Sequence, residues 1–409
     1  MKNILNKRIS FLLVFSMTLI ITMFVSCNND DDITKANAPV ITEIRNYAAS
    51  PNDTIVDKIV PGQWIVITGK NLENGTEILI DGVPVEFNPG LFTDTHAVIQ
   101  VPSAIPFPSV PESQFNTITY VTKEGSVVFP FSVVAGPPSI TSISNENAIE
   151  GDEVTIFGTN LFLVSELVFG GTEITDFTEV DDGTSISFVM PNITTSGPLS
   201  ITTQSGSIST VFNVKDLTTG IISKVDDFGR YEWWGGAELA SGDPNSGWPS
   251  YNPDFPGNPT IYFTFNYSDI PPGQGANWTH AIRLSDGPWV PVENLSDPIG
   301  NWAVKFEMNI PNDWTGGSIC IYSSNTDYLA RYEPWLKTGK FKTTGWQTVT
   351  IPLNTFSKSE GKGDAAQAIT DLIDSNGNSA MQIFLHNYET SGIGFYGAFD
   401  NIRVVKINE

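Results

Sequence analysis

The stretch Gly62-Gln-Trp-Ile-Val-Ile-Thr-Gly-Lys-Asn-Leu72 returns in outline as Gly151-Asp-Glu-Val-Thr-Ile-Phe-Gly-Thr-Asn-Leu161. The register extends upstream, where Pro39-Val-Ile-Thr-Glu-Ile44 matches Pro138-Ser-Ile-Thr-Ser-Ile143. Each copy alternates short runs of apolar residues with Gly, Asn and Pro turns, the pattern of an immunoglobulin-like β-sandwich. A repeat that keeps its register over such a length predicts two consecutive copies of one domain.

The two copies resemble a known domain family. Their Gly-x-Asn-Leu turn and the hairpin that follows it are similar to those of IPT/TIG domains, over residues 37–135 and 136–216. Neither copy brings together residues with catalytic spacing, and we expect both to act as spacers. Trp64 alternates with Ile65 and Ile67, so its ring can face solvent, but a lone Trp more often packs at a domain junction.

The composition changes from residue 217 onward. Nine of the ten Trp and nine of the eleven Tyr lie beyond residue 220, in a region that still reads as β-strands. About 190 residues of such strands without an internal repeat predict a single jelly-roll sandwich over residues 217–409. The expected fold is therefore all-β: two immunoglobulin-like sandwiches followed by a larger jelly roll.

The C-terminal region resembles jelly-roll carbohydrate-binding modules, through Gly345-Trp-Gln-Thr-Val-Thr-Ile-Pro-Leu353 and Phe399-Asp-Asn-Ile-Arg-Val-Val405. With the two repeats before it, it is similar to xyloglucan-binding surface glycan-binding proteins of Bacteroidetes, which share features such as Lys305-Phe-Glu307 and Arg331-Tyr-Glu-Pro-Trp335. The resemblance implies a polysaccharide ligand, with a neutral β-glucan as the favoured class. It also implies two partners, a TonB-dependent importer and surface glycan hydrolases.

The N-terminus predicts export and a lipid anchor. Residues 1–26 combine Lys2, Lys7 and Arg8 with an apolar run of signal-peptide length. The run ends in Phe24-Val-Ser-Cys27, which resembles a lipobox, so Cys27 is the predicted site of lipid attachment. The acidic segment 27–36 resembles a surface-export tether, and outer-membrane attachment at the cell surface follows.

Charge and motif content weigh against other functions. The net charge of −24 disfavours nucleic acid and anionic polymers, because nucleic-acid binding needs a basic surface. We expect no enzymatic activity: the three histidines lack metal-ligand spacing, and no motif marks the carboxylate pair that glycoside hydrolysis needs. The alternatives are a surface adhesin or structural lipoprotein that binds another protein, and a glycoside hydrolase.

Loops that combine aromatic rings with polar neighbours are the candidate glycan contacts. A sugar ring rests its apolar face on an aromatic ring and offers its hydroxyls to polar groups at the rim. Covering about 100 Å² at roughly 25 cal/mol per Å² contributes about 2.5 kcal/mol per platform. The alternative for each ring is a hydrophobic lid over a strand edge. The predicted contacts are Trp335, Trp314, Trp289, Tyr332, Arg331, Tyr388 and His386.

The resemblance to jelly-roll modules also implies a structural calcium ion near the first and last strands of the domain. Asp227 and Asp400 lie there in the sequence, and carboxylate oxygen is a ligand that calcium prefers. An Asp that caps its own turn is the other interpretation of each residue. No further cofactor is expected.

Replacing Cys27 with Ala should release the protein from the membrane, because the lipobox-like end of the signal supplies the predicted anchor. We expect Cys27→Ala to fractionate as a soluble periplasmic protein, whereas the unmodified chain follows the outer membrane. Continued sedimentation of the variant with outer membranes would show that another contact holds the protein there.

Overall fold

The structure is a computed structural model that describes residues 37–409 apart from 227–230, 233–235, 274, 276 and 324–325. The predicted signal, Cys27, the acidic tether and Asp227 lie outside these residues. The chain divides into two compact units, one ending at Gly136 and the other beginning at Pro137. In the described residues, no helix has the length and apolar character needed to cross a membrane.

The first unit is a small β-sandwich. Its three-stranded sheet has the order β1-β3-β6, its four-stranded sheet has the order β5-β4-β7-β8, and β2 pairs with β9. The facing sides of the sheets bury side chains such as Ile65, Ile67 and Ile80. The strands are β1 (Val40–Asn46), β2 (Lys58–Ile59), β3 (Trp64–Lys70), β4 (Gly75–Ile80), β5 (Val83–Pro84), β6 (His96–Gln100), β7 (Thr117–Thr122), β8 (Gly125–Pro130) and β9 (Ser132–Val133).

The repeated Gly-x-Asn-Leu motif fixes the turn that ends β3. A Cβ atom on Gly69 would lie 1.8 Å from the carbonyl oxygen of Val40, so only glycine fits against the neighbouring strand. Asn71 follows with φ of 58°, a left-handed conformation that Asn tolerates, and its side chain donates to the carbonyl of Ala38 at 2.9 Å. Leu72 then enters the core.

The second copy repeats this arrangement at the start of the second unit. Gly158 approaches the Ser139 carbonyl as closely as Gly69 approaches Val40, and Asn160 has φ of 55°. Two four-stranded sheets, β10-β11-β15-β14 and β13-β12-β16-β17, form this sandwich. Its strands are β10 (Ser139–Ile143), β11 (Glu153–Thr159), β12 (Val164–Phe169), β13 (Thr172–Glu173), β14 (Thr178–Glu179), β15 (Ser185–Val189), β16 (Gly197–Thr203) and β17 (Gly206–Val214).

The larger C-terminal sandwich completes the second unit. One sheet has the order β20-β21-β28-β23-β26, with β18 paired to β28, and we call it the inner sheet. The other has the order β19-β22-β27-β24-β25, and we call it the outer sheet. The strands are β18 (Ile221–Ser223), β19 (Tyr231–Glu232), β20 (Glu238–Ser241), β21 (Ile261–Ile270), β22 (Ala281–Pro288), β23 (Trp302–Asn309), β24 (Ser318–Ser323), β25 (Leu329–Tyr332), β26 (Gln347–Pro352), β27 (Asn378–His386) and β28 (Ile393–Lys406).

Helical structure in the described residues is confined to short turns. One four-residue α turn, α1, spans Lys358–Gly361. The 3-10 turns are Pro89–Leu91, Phe107–Ser109, Trp278–His280, Val292–Asn294, Ile299–Asn301, Pro334–Lys337, Leu353–Thr355 and Ile369–Asp371. The predicted all-β fold, with immunoglobulin-like sandwiches before a jelly roll, is confirmed.

Alternation along β23 sorts side chains between two environments. Trp302, Val304, Phe306 and Met308 point into the core between the two sheets, as the sequence predicts. The intervening Lys305 and Glu307 point to the other face of the inner sheet, yet both are nearly fully buried. Something must therefore cover that face and neutralise the charges on it.

The second immunoglobulin-like sandwich covers this face. One carboxylate oxygen of Glu146 forms an ion pair with the ammonium group of Lys305. The other lies 2.9 Å from the guanidinium group of Arg403. The same guanidinium group binds both carboxylate oxygens of Glu307, at 2.9 and 3.0 Å. Two acids and two bases thus form a neutral cluster, which we call the ionic cluster.

Neighbouring contacts complete the junction. The ammonium nitrogen of Lys305 lies 3.3 Å from the centre of the Phe212 ring. The hydroxyl of Thr348 accepts from the backbone N–H of Glu146 at 2.8 Å and donates to Glu307 at 3.0 Å. The backbone N–H of Thr348 donates to the carbonyl of Ser144 at 2.8 Å. The two sandwiches of the second unit are therefore joined by buried polar contacts of defined direction.

Removing one acid from the ionic cluster should destabilise the second unit. Glu146→Gln leaves Lys305 and Arg403 with a single buried carboxylate between them, and breaking a buried pair in this way costs about 3–5 kcal/mol. Urea unfolding should show this loss in the transition of the second unit. Glu153→Gln, at an exposed position on β11 of the same sandwich, is the control and should stay within about 0.5 kcal/mol of the unmodified protein. Equal stability of the two variants would contradict the role given to the cluster.

Candidate functional site

The outer sheet turns one face away from the core and gathers polar and aromatic side chains on it. Gln382 on β27 lies opposite Arg283 on one neighbouring strand and Tyr322 on the other. Two residues before Tyr322 on β24, Cys320 lies opposite Phe384 on one neighbouring strand and Arg331 on the other. We call this surface the outer face. Because side chains alternate along a strand, the residues between these positions enter the core.

Arg331 and Tyr388 form the centre of the outer face. The guanidinium carbon of Arg331 lies 3.6 Å from the centre of the Tyr388 ring, a cation–π arrangement that holds both groups flat against each other. Glu333 approaches the same guanidinium group at 3.6 Å. The Tyr388 hydroxyl shares a short hydrogen bond with Nδ1 of His386, which is fully buried behind it. The central ring is therefore fixed from both sides.

Several polar atoms on this face are buried and have no partner among the described residues. They are Nε and Nη2 of Arg331 and Nε2 of His386. Buried polar groups in proteins are normally hydrogen-bonded, and leaving one unpaired costs roughly 1–3 kcal/mol. Because these atoms are shielded from solvent, the groups on this face that a hydroxyl-bearing ligand can reach are the half-buried side chains of Tyr322, Tyr388 and Gln382.

Burial keeps the groups around Arg331 uncharged. Burial, with a smaller contribution from the charge of Arg331, lowers the pKa of His386 to about 4, so the imidazole is neutral at neutral pH. Burial raises the pKa of the Tyr388 phenol above its usual range, so its hydroxyl keeps its proton. Burial also raises the pKa of the Cys320 thiol to about 11, which leaves no reactive thiolate. These groups are suited to hydrogen bonding rather than to nucleophilic chemistry.

Two of the predicted contacts are core residues, and their prediction was wrong. Trp289 is 1% exposed, packs against Phe356, and donates from its indole nitrogen to the carbonyl of Ser379 at 3.0 Å. Trp314 is 2% exposed and packs edge-on against Phe395. Both lie in polar, Gly-rich segments, but their rings point inward and fill the space between the two sheets. Neither can serve as a sugar platform.

The other predicted contacts occupy different places. Tyr332 precedes the turn that holds Trp335, and its ring turns inward against Trp314 because it alternates with Arg331. Trp335 is half-buried in the turn Pro334–Lys337, and its indole nitrogen donates to the carbonyl of Gly317 at 2.8 Å. The structure brings together Arg331, Tyr388 and His386, with His386 beneath the face rather than on it.

Sequence reasoning missed Tyr322, Gln382 and Arg283, which share the outer face with Arg331. The sequence pattern that could have identified two of these strands is alternation. In Ser318-Ile-Cys-Ile-Tyr322 and Met381-Gln-Ile-Phe-Leu385, every second residue is aliphatic or Met and the residues between are aromatic or polar. Trp233 and Trp234, which follow the edge strand β19, lie outside the described residues.

The described residues do not fit the predicted calcium site. Asp400 is fully buried, and its two oxygens accept hydrogen bonds from Asn258 at 2.6 Å and from the backbone of Asn401 at 2.7 Å. Asp226 accepts from the backbone of Ile261 at 2.7 Å. Calcium takes six to eight oxygen ligands, and the described part of the chain contains no group of three His, Cys, Asp or Glu able to hold a metal. The share of Asp227 in such a site stays a prediction.

Two family models match the chain. Residues 215–406 match the surface glycan-binding protein B xyloglucan binding domain, and residues 138–218 match the IPT/TIG domain. The family resemblance read from the sequence is thereby confirmed. A comparison with curated proteins finds no match.

A solved structure shows the same fold over most of the chain. The surface glycan-binding protein PbSGBP-B from Prevotella bryantii is 21% identical, with a TM-score of 0.66, covering 90% of this chain and 98% of that one. SGBP-B from a complex xyloglucan utilization locus in Bacteroides uniformis is 19% identical, with a TM-score of 0.49, covering 90% of this chain and 99% of that one.

The buried His386 should make the folded protein sensitive to acid. Its folded pKa of about 4 lies below the value of about 6.5 expected in the unfolded chain. This pKa difference contributes about 3 kcal/mol to the free energy of unfolding. The contribution is present above pH 6.5 and is lost as the pH falls toward 4.

The measurement compares urea unfolding of the unmodified protein and His386→Gln at pH 7 and pH 4. The stability advantage of the unmodified protein should shrink between the two pH values by about 3 kcal/mol. His96→Gln, on a strand of the first unit, corrects for the general effect of losing a histidine. An advantage that does not change with pH would show that His386 is not held neutral by its surroundings.

Proposed function

We propose that this chain, whose residues 215–406 belong to the surface glycan-binding protein B xyloglucan-binding domain family, captures a neutral β-glucan on its outer face. The observation that carries the proposal is the Arg331–Tyr388 stack, which fixes an aromatic ring on the same sheet face as the half-buried Tyr322 and Gln382. Xyloglucan is the first polymer to test, and mixed-linkage glucan the second.

The chemistry of the outer face fits an uncharged sugar chain. Tyr322 and Tyr388 are half-buried, so each offers part of a ring to the apolar side of a pyranose. Gln382 lies opposite Tyr322 with an amide that can both donate to and accept from ring hydroxyls. Glu333 balances the charge of Arg331, and the net charge of −24 disfavours acidic polymers.

Trp335 is proposed as a contact at the edge of this face. Its indole is tied to Gly317, one residue before β24, and part of the ring remains exposed. A ring held in this way loses little conformational entropy when a ligand binds. Trp335 thus keeps its predicted role as a proposed contact, in the turn that follows β25.

Binding rather than bond cleavage is proposed as the activity. PbSGBP-B, which shares the fold over most of the chain, is named for glycan binding. An outer-membrane lipid on Cys27 would hold many copies on one cell, and polymer capture would then gain from several weak contacts at once. A TonB-dependent importer and surface glycan hydrolases are the proposed recipients of the captured chain.

Removing one polar group from the outer face should weaken binding without unfolding the domain. We expect Gln382→Ala to lower the affinity for a xyloglucan oligosaccharide about tenfold, which corresponds to about 1.4 kcal/mol. The side chain points out of the sheet, so the melting temperature should change by no more than a few degrees. Calorimetric titration and a thermal melt on the same preparation measure the two effects.

Gln347→Ala is the matched control for this test, because Gln347 is also half-buried on a strand but belongs to the inner sheet. It should bind the oligosaccharide as the unmodified protein does. If Gln382→Ala and Gln347→Ala bind equally well, the glycan does not occupy the outer face. Failure of the unmodified protein to bind any neutral glucan would refute the proposed function itself.

A further inference from the structure

The first immunoglobulin-like sandwich exposes a pair of aromatic rings. Tyr47 is 57% exposed and Trp64 is 45% exposed, and their ring centres lie 6.0 Å apart with planes tilted by 43°. Large aromatic side chains normally bury most of their area, so two half-exposed rings in contact form a concentrated apolar surface. The sequence alone favoured a packed position for Trp64, and the structure does not place it in the core.

The sheet backbone holds both rings in place. Trp64 opens β3, the central strand of its sheet, where it lies opposite Gln100 on β6. The backbone N–H of Tyr47 donates to the carbonyl of Trp64 at 3.3 Å. Rings fixed by strand pairing lose less entropy on binding than rings on a loose loop, so the pair is preorganised for a partner.

In the second repeat, the edge that corresponds to Tyr47 is a contact surface. Counting from Ile44 and its counterpart Ile143, Tyr47 occupies the position of Glu146. In the second repeat, Glu146 binds Lys305 and Arg403 of the adjoining sandwich. Aligning the repeats at their Gly-x-Asn-Leu turns places Trp64 at the position of Glu153. The first repeat thus has aromatic rings where the second has carboxylates, and it suits an uncharged partner.

Two polar groups lie beside the rings on the same face of the sheet. Gln100 donates from Nε2 to the carbonyl of Gly62 at 3.0 Å, which orients its amide beside Trp64 and leaves an oxygen and one further N–H able to bond to hydroxyl groups. Arg45, which lies opposite Val66, is balanced by Glu43 at 2.9 Å and by Asp53 at 3.8 Å. Flat apolar rings beside an amide and a charge-balanced guanidinium group match the apolar face and the hydroxyl rim of a pyranose.

From these observations we propose that Tyr47 and Trp64 form a second platform for neutral polysaccharide, separate from the outer face. The choice of ligand rests on the proposed function. Two platforms in one chain let a single polymer bind at two places, so the second contact forms at high effective concentration. The first repeat is then a part of the binding surface rather than a spacer.

The test uses the full chain made soluble by Cys27→Ala, with tryptophan replaced biosynthetically by 5-fluorotryptophan. Trp64→Phe identifies the fluorine resonance of Trp64. Xyloglucan oligosaccharide should shift this resonance in the unmodified sequence, and also in Gln382→Ala, where the outer face is weakened. Because the rings are exposed, Tyr47→Ala with Trp64→Ala should melt within a few degrees of the parent.

Affinity electrophoresis in gels containing xyloglucan measures the contribution to polymer binding. The Tyr47→Ala, Trp64→Ala double variant should lose about threefold to tenfold in polymer affinity, and oligosaccharide affinity at the outer face should not change. Val128→Ala, at a 58% exposed position of the same sandwich, is the control and should migrate like the parent.

Three results would overturn the inference. The first is that the oligosaccharide shifts other tryptophan resonances but not that of Trp64. The second platform would then be refuted while the proposed function stands. The double variant could be retarded by polymer as strongly as Val128→Ala. The double variant could instead change the sedimentation coefficient of the protein without changing polymer retention, which would identify the pair as a protein contact.

Discussion

The second unit depends on the carboxylate of Glu146, which is buried between two cations of the neighbouring sandwich. Transfer of these charges out of water costs several kcal/mol per ion, and only a complete and well-directed set of partners offsets that cost. The cluster is complete because Glu307 supplies the second negative charge and binds Arg403 through both oxygens. Such a cluster tolerates few relative positions of the two sandwiches, so it defines one docking geometry.

The same alternation of side chains that builds the ionic cluster also separates it from the proposed ligand surface. The inner sheet presents Lys305, Glu307 and Arg403 to the immunoglobulin-like sandwich, and the outer sheet presents Tyr322 and Gln382 to solvent. Between them the shared core holds aromatic and aliphatic side chains from both sheets. Docking of the two sandwiches and the proposed ligand contact therefore use opposite sides of the two packed sheets.

Local pattern was enough to predict the fold, because repeats, turns and strand alternation are local properties of the chain. The site was harder, because strand pairing brings together residues far apart in the sequence, such as Gln382 and Tyr322. A loop position also says little about where a large ring points, and Trp314 and Trp289 show this by filling the core. Arg331 was found because it lies in a motif that the resemblance singled out, and Gln382 lies in none.

The two immunoglobulin-like repeats show how one edge of a sandwich can acquire different partners. A carboxylate buried at this edge needs cations to pair with it, as they pair with Glu146, whereas aromatic rings at the same edge remain soluble when half-exposed and bind through contact area. Exchange of Glu146 for the equivalent Tyr47 therefore changes the partner from a charged protein surface to a neutral one. The two repeats share the Gly and Asn of their turn, but the backbone N–H of Tyr47 bonds within its own sheet whereas that of Glu146 bonds to Thr348 of the neighbouring sandwich, so the two edges differ in backbone contacts as well as in side chains.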